Sequence, residues 1–183
     1  VIEPGARVAA AASRNGRLGV IATQGTVSTG IYPGILKGFR SDLEVFQAAC
    51  PSLVALAEYG ETESPAAREE VESCLGPLLD LGIDTLLLGC THFPHLRMVL
   101  SEIAGPDIVI IDPAEETARE VKDFLEKRGW LHPSPFEGPR EFYATGDPER
   151  FVSVGSRLWP GVIRSAHKLT LKWGSAQSES EGR

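Results

Sequence analysis

The chain has 183 residues, of which 42% are hydrophobic and 23% charged, so it can bury a substantial core in one or two domains. Its formal net charge of -7 argues against a nucleic-acid surface, which needs clustered Lys and Arg, and against an anchor on an anionic membrane. No apolar run approaches the roughly 18 residues of a membrane-spanning helix.

The amino-terminal segment VIEPGARVAA lacks the basic and apolar regions of a signal peptide. It also lacks an initiating Met, so we expect a processed product or a fragment. The three cysteines, Cys50, Cys74 and Cys90, form an odd and sparse set for a chain of this length. Such a set is typical of free thiols in a reducing compartment, which predicts a cytoplasmic protein.

The apolar pattern predicts strands that alternate with helices. Pro near a helix start and Gly after a helix end mark several of the helices, and the clearest helix is capped by Asp112 and ends at Gly129. In chain order, we predict a strand at 17–23, a Gly-rich turn leading into a helix at 24–36, a strand at 43–49, helices at 51–60 and 64–82, a strand at 83–89, a helix at 94–105, a strand at 107–112, a helix at 112–129 and a strand at 140–146.

This alternation predicts an α/β fold with a parallel, doubly wound sheet. Ligands of such sheets bind beyond the carboxyl ends of the strands. Two segments stand at such ends, ATQGT after the first predicted strand and GCTHFP after the strand at 83–89. We therefore expect the functional residues in these two segments.

The segment GCTHFP places a thiol and an imidazole at the start of a predicted helix. The helix N-terminus favours the thiolate of Cys90, and His92 can exchange a proton with it. Thr91 and nearby backbone N–H groups can hold a carboxylate. The set suits proton transfer or attack on a carbonyl carbon. In the alternative interpretation, Cys90 is a small buried residue and His92 caps the turn.

A zinc site is the main competing interpretation of the same segment. Cys90, His92 and His95 are spaced as C-x-H-x-x-H. Structural zinc needs four ligands, and Cys50 and Cys74 are not spaced as a second pair. Cys74 instead belongs to an apolar helical face, so we expect no metal.

The glycines after the first predicted strand do not form a nucleotide site. Gly25 and Gly30 have the glycine spacing of a phosphate-binding loop, but Ile-Tyr stands where Lys and Ser/Thr are required. Thr23 and Thr26 are either neutral hydroxyl donors for a small anion or ordinary turn residues.

Several stretches together resemble glutamate racemases of the aspartate/glutamate racemase superfamily. They are GVIATQGTV, ACPSLVALAEYGE, IDTLLLGCTHFPHL and FYATGD, they follow VIEPG in the expected order, and they cover roughly residues 1–146. The resemblance implies two similar α/β lobes with the active site between them, and catalysis without a cofactor.

In that family, two cysteines face opposite sides of the substrate's Cα atom, and one removes a proton while the other delivers one. The resemblance matches Cys90 to one of these cysteines, His92 to the histidine that assists it, and Glu58 to a carboxylate that supports the histidine. It implies interconversion of L- and D-glutamate for peptidoglycan synthesis. The residues matched to substrate contacts are Thr23, Thr26, Thr91 and His92.

The chain departs from the family at the first lobe. In the family that lobe precedes the VIEPG-like segment and carries the other cysteine in a Cys-Asn-Thr motif, which this sequence lacks. Cys50 matches a structural cysteine, so we expect the chain alone to be inactive or nearly so. We predict a second racemase lobe with the Cys-Thr-His site at 1–112, a C-terminal return into an incomplete first lobe at 113–174, and a disordered tail at 175–183.

Other functions stay open at this point. They are a racemase for aspartate or another small amino acid, a thiol hydrolase or transferase with Cys90 as nucleophile, and a non-catalytic binding module. As partners we expect glutamate as a small-molecule substrate, we consider a homodimer, and we expect neither nucleic acid nor membrane.

Overall fold

A computed structural model describes residues 1–132 and 138–171 of the chain. Packing divides the chain into two units, Val1–Phe136 and Glu137–Arg183. No helix in the described ranges is long and apolar enough to cross a membrane.

The first unit alternates helices and strands, as the sequence predicts. Its elements are α1 (Ile2–Ala12), β1 (Arg17–Ala22), α2 (Gln24–Thr29), α3 (Ile31–Phe39), β2 (Glu44–Ala49), α4 (Ser52–Tyr59), α5 (Pro65–Asp80), β3 (Thr85–Leu88), a short 3-10 helix (Phe93–Leu96), α6 (Arg97–Ala104), β4 (Val109–Ile111) and α7 (Pro113–Lys127).

The four strands form one sheet in the order β2-β1-β3-β4, and every neighbouring pair is parallel. The chain leaves β1 toward β2, then crosses back over β1 to β3, and right-handed crossovers in opposite directions place helices on opposite faces. On one face α1 packs against α3, α7 and β3, while α5 packs with α4, α6 and β2. The predicted α/β fold with a parallel, doubly wound sheet is confirmed.

The core beneath α1 explains why this helix can lie close to the sheet. Its buried face consists of alanines, whose short side chains let the helix approach the strands. Gly5 lies on the same face of α1 and allows close contact with the start of α7. A Cβ added at Gly5 would lie only 2.7 Å from the Cβ of Pro113. The buried members of this cluster are Ala6, Ala9, Ala10, Leu18, Val20, Tyr32, Leu36, Leu43 and Leu87.

The structure differs from the predicted elements in three places. α1 is not among the predicted helices, and its Pro4 lies in the first turn, where a missing N–H removes no helical hydrogen bond. At 24–36, where we predict a Gly-rich turn leading into a helix, the helix is present as α3, but the turn is itself the short helix α2. The two helices meet at Gly30, whose φ of 62° only Gly adopts readily. The helix predicted at 94–105 begins as the 3-10 helix and continues as α6.

The second unit is small. Its strand β5 (Tyr143–Ala144) pairs in parallel with β6 (His167–Lys168), and α8 (Pro148–Leu158) lies between them in sequence. The strand predicted at 140–146 is therefore right in place but shorter, and α8 and β6 are not among the predicted elements.

The predicted division of the chain is not settled by this fold. The predicted boundary between residues 112 and 113 lies inside the first unit, where α7 packs against α1. The return of residues 113–174 into another lobe stays a prediction. The predicted disordered tail at 175–183 lies outside the described residues.

Candidate active site

The carboxyl ends of β1 and β3 lie side by side, and this edge of the sheet holds the candidate site. Ile21 is paired with Leu88, and beyond that pair the N–H of Gly89 donates to the carbonyl of Ile21 at 2.7 Å. Because the chain leaves β1 in one direction and reaches β3 from the other, the two strand ends form a switch point, where α/β sheets open a crevice. Thr23 and Cys90 follow these two strand ends.

A pocket of about 160 Å³ opens at this edge. It is smaller than the roughly 300–1,000 Å³ of pockets for drug-sized ligands, which suits a small metabolite. Residues at the starts of α1 and α7 line it, together with Thr26, Tyr32, Gly89, Cys90 and Thr91.

Behind Cys90, an imidazole and a carboxylate form a chain of polar contacts. The Sγ atom of Cys90 lies 3.7 Å from Nδ1 of His92. The other ring nitrogen, Nε2, lies 3.6 Å from Oε1 of Glu58, at ion-pair distance. The side chains of His92 and Glu58 are only 26% and 32% exposed. Such an arrangement can pass a proton between the thiol and the imidazole, with the carboxylate orienting the ring.

The two threonines after β1 are tied to each other. Thr23 caps α2, since its Oγ1 accepts from the N–H of Thr26 at 3.4 Å, and the two hydroxyl oxygens are 3.1 Å apart. This cap is why the segment is helical directly after the strand. It fixes both hydroxyls at the strand end, with Thr26 at the pocket.

The structure brings the predicted site residues together. Cys90, Thr91 and Thr26 line the pocket, Thr23 adjoins Thr26, and the exposed Thr91 follows Cys90 directly. His92 and Glu58 stand behind Cys90. Their roles in catalysis and substrate binding stay predictions.

The other two cysteines form a separate pair. Cys50 is 1% exposed at the carboxyl end of β2, and Cys74 lies half-buried on α5. Hydrogen bonding to Cys74, with burial added, strongly raises the pKa of Cys50, and the same hydrogen bond lowers the pKa of Cys74. Neither thiol lines the pocket.

His95 does not complete a metal site. Burial and the neighbouring His92 lower its pKa, although Asp112 acts in the opposite direction. Among the described residues, no group of three or more His, Cys, Asp or Glu side chains could hold a metal ion.

Sequence reasoning missed Tyr32. The residue lines the pocket from α3 and is 2% exposed. In the sequence it stands four residues before Leu36, a spacing that indicates only a core-facing helical position. No pattern in the sequence marks its hydroxyl as part of the site.

Comparison with known proteins decides the family. A profile of the family described as Asp/Glu/hydantoin racemase matches residues 2–121. The chain belongs to the Asp/Glu/hydantoin racemase family. The resemblance predicted from the sequence motifs is therefore confirmed.

Several relatives of this chain are named glutamate racemases. One from Symbiobacterium thermophilum is 50% identical over 171 residues, covering 93% of this chain and 62% of the relative. Among solved structures, an isoform from Bacillus anthracis matches with a TM-score of 0.83 and 35% identity, covering 93% of this chain and 63% of that chain. The enzyme from Thermus thermophilus, in complex with β-chloro-D-alanine, matches with a TM-score of 0.78 and 34% identity, over 93% and 61% of the two chains. This chain thus spans about three fifths of the length of the relatives it matches.

Proposed function

We propose that this chain provides the Cys-Thr-His half of a glutamate racemase, an isomerase that interconverts L- and D-glutamate without a cofactor. The observation that carries the proposal is the contact chain from Glu58 through His92 to Cys90 beside a small pocket. The naming of its relatives as glutamate racemases supports this substrate. Supply of D-glutamate for peptidoglycan is the proposed physiological role.

In this mechanism Cys90 exchanges a proton with the Cα atom from one face of the bound amino acid. As the C–H bond breaks, an S–H bond forms and the electron pair moves into the α-carboxylate. His92 holds or returns the thiol proton, and Glu58 orients the imidazole. The hydroxyls of Thr23, Thr26 and Thr91 are proposed to hold the substrate carboxylates as neutral donors.

Inversion needs a second acid–base group on the opposite face of Cα. Cys50 is buried and neither Cys50 nor Cys74 lines the pocket, so neither of these thiols suits that role. We propose that the second group comes from protein outside these 183 residues, and that residues 113–174 return into the lobe that supplies it. The chain alone should then leave the optical rotation of glutamate unchanged or nearly so.

The remaining partner and location predictions belong with this function. A thiol that works as an acid or a base must stay reduced, and the three cysteines are free, which supports a cytoplasmic enzyme. Assembly as a homodimer is proposed without a surface assigned to it, and sedimentation of the purified protein measures it.

A chimera tests the proposal. All 183 residues replace the matched segment of the Symbiobacterium thermophilum racemase, and circular dichroism follows L-glutamate with time. We expect racemisation by the chimera, a loss of about 10²–10⁴-fold in Cys90→Ser, and a rate within about twofold in Cys74→Ser. The folded 183-residue chain alone should give a flat trace.

Two outcomes would overturn the proposal. A folded chimera without racemase activity would remove the function, and full activity in Cys90→Ser would remove the role of this thiol. An aspartate racemase is the second candidate within the family, and a rate that is higher with L-aspartate than with L-glutamate would establish it instead.

A further inference from the structure

Tyr32 places a phenol ring directly against the turn that carries Cys90. A Cβ added to Gly89 would lie 2.9 Å from Cε2 of Tyr32, so the missing side chain at Gly89 is what lets the ring approach. Cε2 is bonded to Cζ, which carries the hydroxyl. The hydroxyl end of the ring therefore lies next to the residue that precedes Cys90, and both Tyr32 and Cys90 line the same pocket.

The hydroxyl of Tyr32 has no hydrogen-bond partner among residues 1–132 and 138–171. A buried tyrosine normally finds one, because an unpaired buried polar group loses its hydrogen bonds to water without replacement. In the described residues, the fully buried side-chain oxygen without a partner is Oε1 of Gln47. The oxygen of Tyr32 is therefore not fully buried, although the residue as a whole is only 2% exposed. Because Tyr32 lines the pocket, we infer that the pocket gives access to this oxygen.

The phenol is held in its protonated form at this position. Burial raises the pKa of Tyr32, and the negative charge of a Cys90 thiolate raises it further. The hydroxyl is thus a neutral donor that stands near the thiol without being bonded to it.

We propose that the Tyr32 hydroxyl donates a hydrogen bond to the substrate carboxylate that gains charge while Cys90 exchanges the Cα proton. This inference rests on the proposed racemase function. It adds a donor from α3 to the threonine hydroxyls at the ends of β1 and β3.

The chemistry of the step explains why a neutral donor is suitable. When the Cα proton leaves, negative charge moves from carbon into the α-carboxylate, and a fixed donor binds that charge more strongly than it binds the ground state. A cationic donor at the same place would also attract the Cys90 thiolate and weaken it as a base. The hydroxyl stabilises the carboxylate without this effect.

The test compares Tyr32→Phe with Tyr59→Phe in the racemase chimera. The first variant removes only the hydroxyl and keeps the ring against Gly89, and the second removes a hydroxyl from a tyrosine that is 73% exposed. We expect kcat to fall about 10²-fold in Tyr32→Phe, with KM for glutamate within about threefold, in both reaction directions. Tyr59→Phe should keep both constants. A purely structural role would instead lower the melting temperature and leave kcat per folded molecule unchanged.

The outcomes separate this inference from the function it rests on. An inactive parent chimera overturns both. An active parent with equal kcat in the two tyrosine variants overturns the role of Tyr32 alone. If Tyr32→Phe does not fold, 3,5-difluorotyrosine at position 32 keeps the ring and the hydroxyl but ionises at lower pH. The high-pH fall of kcat should then move to lower pH, and an unmoved profile would contradict the proposal.

Discussion

The two edges of the parallel sheet are built on opposite principles. At the amino edge, the buried carboxylate of Asp84 accepts the N–H groups of Arg14 and Asn15 at 2.6 Å each and the hydroxyl of Thr85 at 2.9 Å. At the carboxyl edge, Cys90 and Glu58 stand 3.7 and 3.6 Å from the ring nitrogens of His92. The carboxylate of Asp84 is held by short hydrogen bonds, whereas longer contacts join the thiol, imidazole and carboxylate at the second edge.

We interpret the amino edge as the part of the sheet that stabilises the fold and the carboxyl edge as the part that carries the chemistry. Arg40 strengthens the amino edge further, since its guanidinium donates to the carbonyl of Ser13 at 2.5 Å and pairs with Asp42. The residues of that edge hold α1 and the strand starts together. At the carboxyl edge, the contacts that join Cys90, His92 and Glu58 are longer, and Cys90 lines the pocket where a ligand can bind.

Among the changes that test this comparison, we expect Asp84→Ala to have the largest effect on stability. The change leaves two backbone N–H groups without their acceptor, so we expect the free energy of unfolding to fall by about 2–4 kcal/mol. Urea titration of the purified chain measures it. The control is Asp42→Ala at the same edge, where the loss of an exposed ion pair should cost much less. Equal losses in the two variants would show that burial of Asp84 is irrelevant.

Gly89→Ala probes the packing at the other edge. The added methyl group would lie 2.9 Å from the carbonyl oxygen of Ile21 and from the ring of Tyr32, so we expect a loss of about 1–3 kcal/mol. Gly25→Ala is the matched control, because no atom lies within 4 Å of the new Cβ there. Thermal unfolding of both variants checks this, and an unchanged melting temperature in Gly89→Ala would contradict the close approach.

Glu58→Gln should affect activity and leave stability nearly intact. The amide cannot stabilise a positively charged His92, so we expect kcat of the chimera to fall about tenfold. The effect is smaller than for a fully buried orienting carboxylate, because Glu58 is partly exposed to solvent. Glu61→Gln, at an exposed position just beyond the same helix, should keep kcat. A full rate in Glu58→Gln would remove the carboxylate from the relay.

The smallest effect is the pH dependence that Asp84 gives to the amino edge. Burial alone raises the pKa of Asp84, but hydrogen bonds from Asn15, Ser13, Thr85 and Arg14 outweigh it and lower the pKa. The charged carboxylate therefore stabilises the fold fully above the unfolded value of about 3.9, and this contribution is lost as pH falls through the lower folded value.

Asp84→Asn isolates this contribution. Unfolding free energies of both proteins, measured from about pH 6 to about pH 2, should converge as the pH falls, because the wild type loses what the variant never had. A constant difference over that range would show that the charge of Asp84 does not stabilise the fold.

Strand ends could be predicted from the sequence because a buried parallel strand is an unbroken apolar run that stops at small polar residues. That rule alone places Thr23 and Cys90 at one edge of the sheet. The contact of Glu58 with His92 was predicted only through family resemblance, since no spacing along the chain connects α4 with the turn after β3.

Two features could not be predicted from the apolar pattern. A tyrosine that only packs in the core and one that also lines a pocket give the same helical periodicity, so nothing in the sequence distinguishes Tyr32. α1 escapes prediction for a related reason, since its Pro4 and Gly5 hide the helical face that the following alanines continue.

The position of β1 in the middle of the sheet has a consequence for the order of folding. Leu18 pairs with Val45 on one side and with Thr85 on the other, so β1 and β2 can associate while β3 is still being synthesised. Contacts that close long stretches of chain form slowly, because the loop entropy must be lost before the contact stabilises anything. We therefore expect the pocket to form late in folding. One side of β1 stays unpaired until α4 and α5 have been synthesised and Cys90 can reach its place beside Thr23.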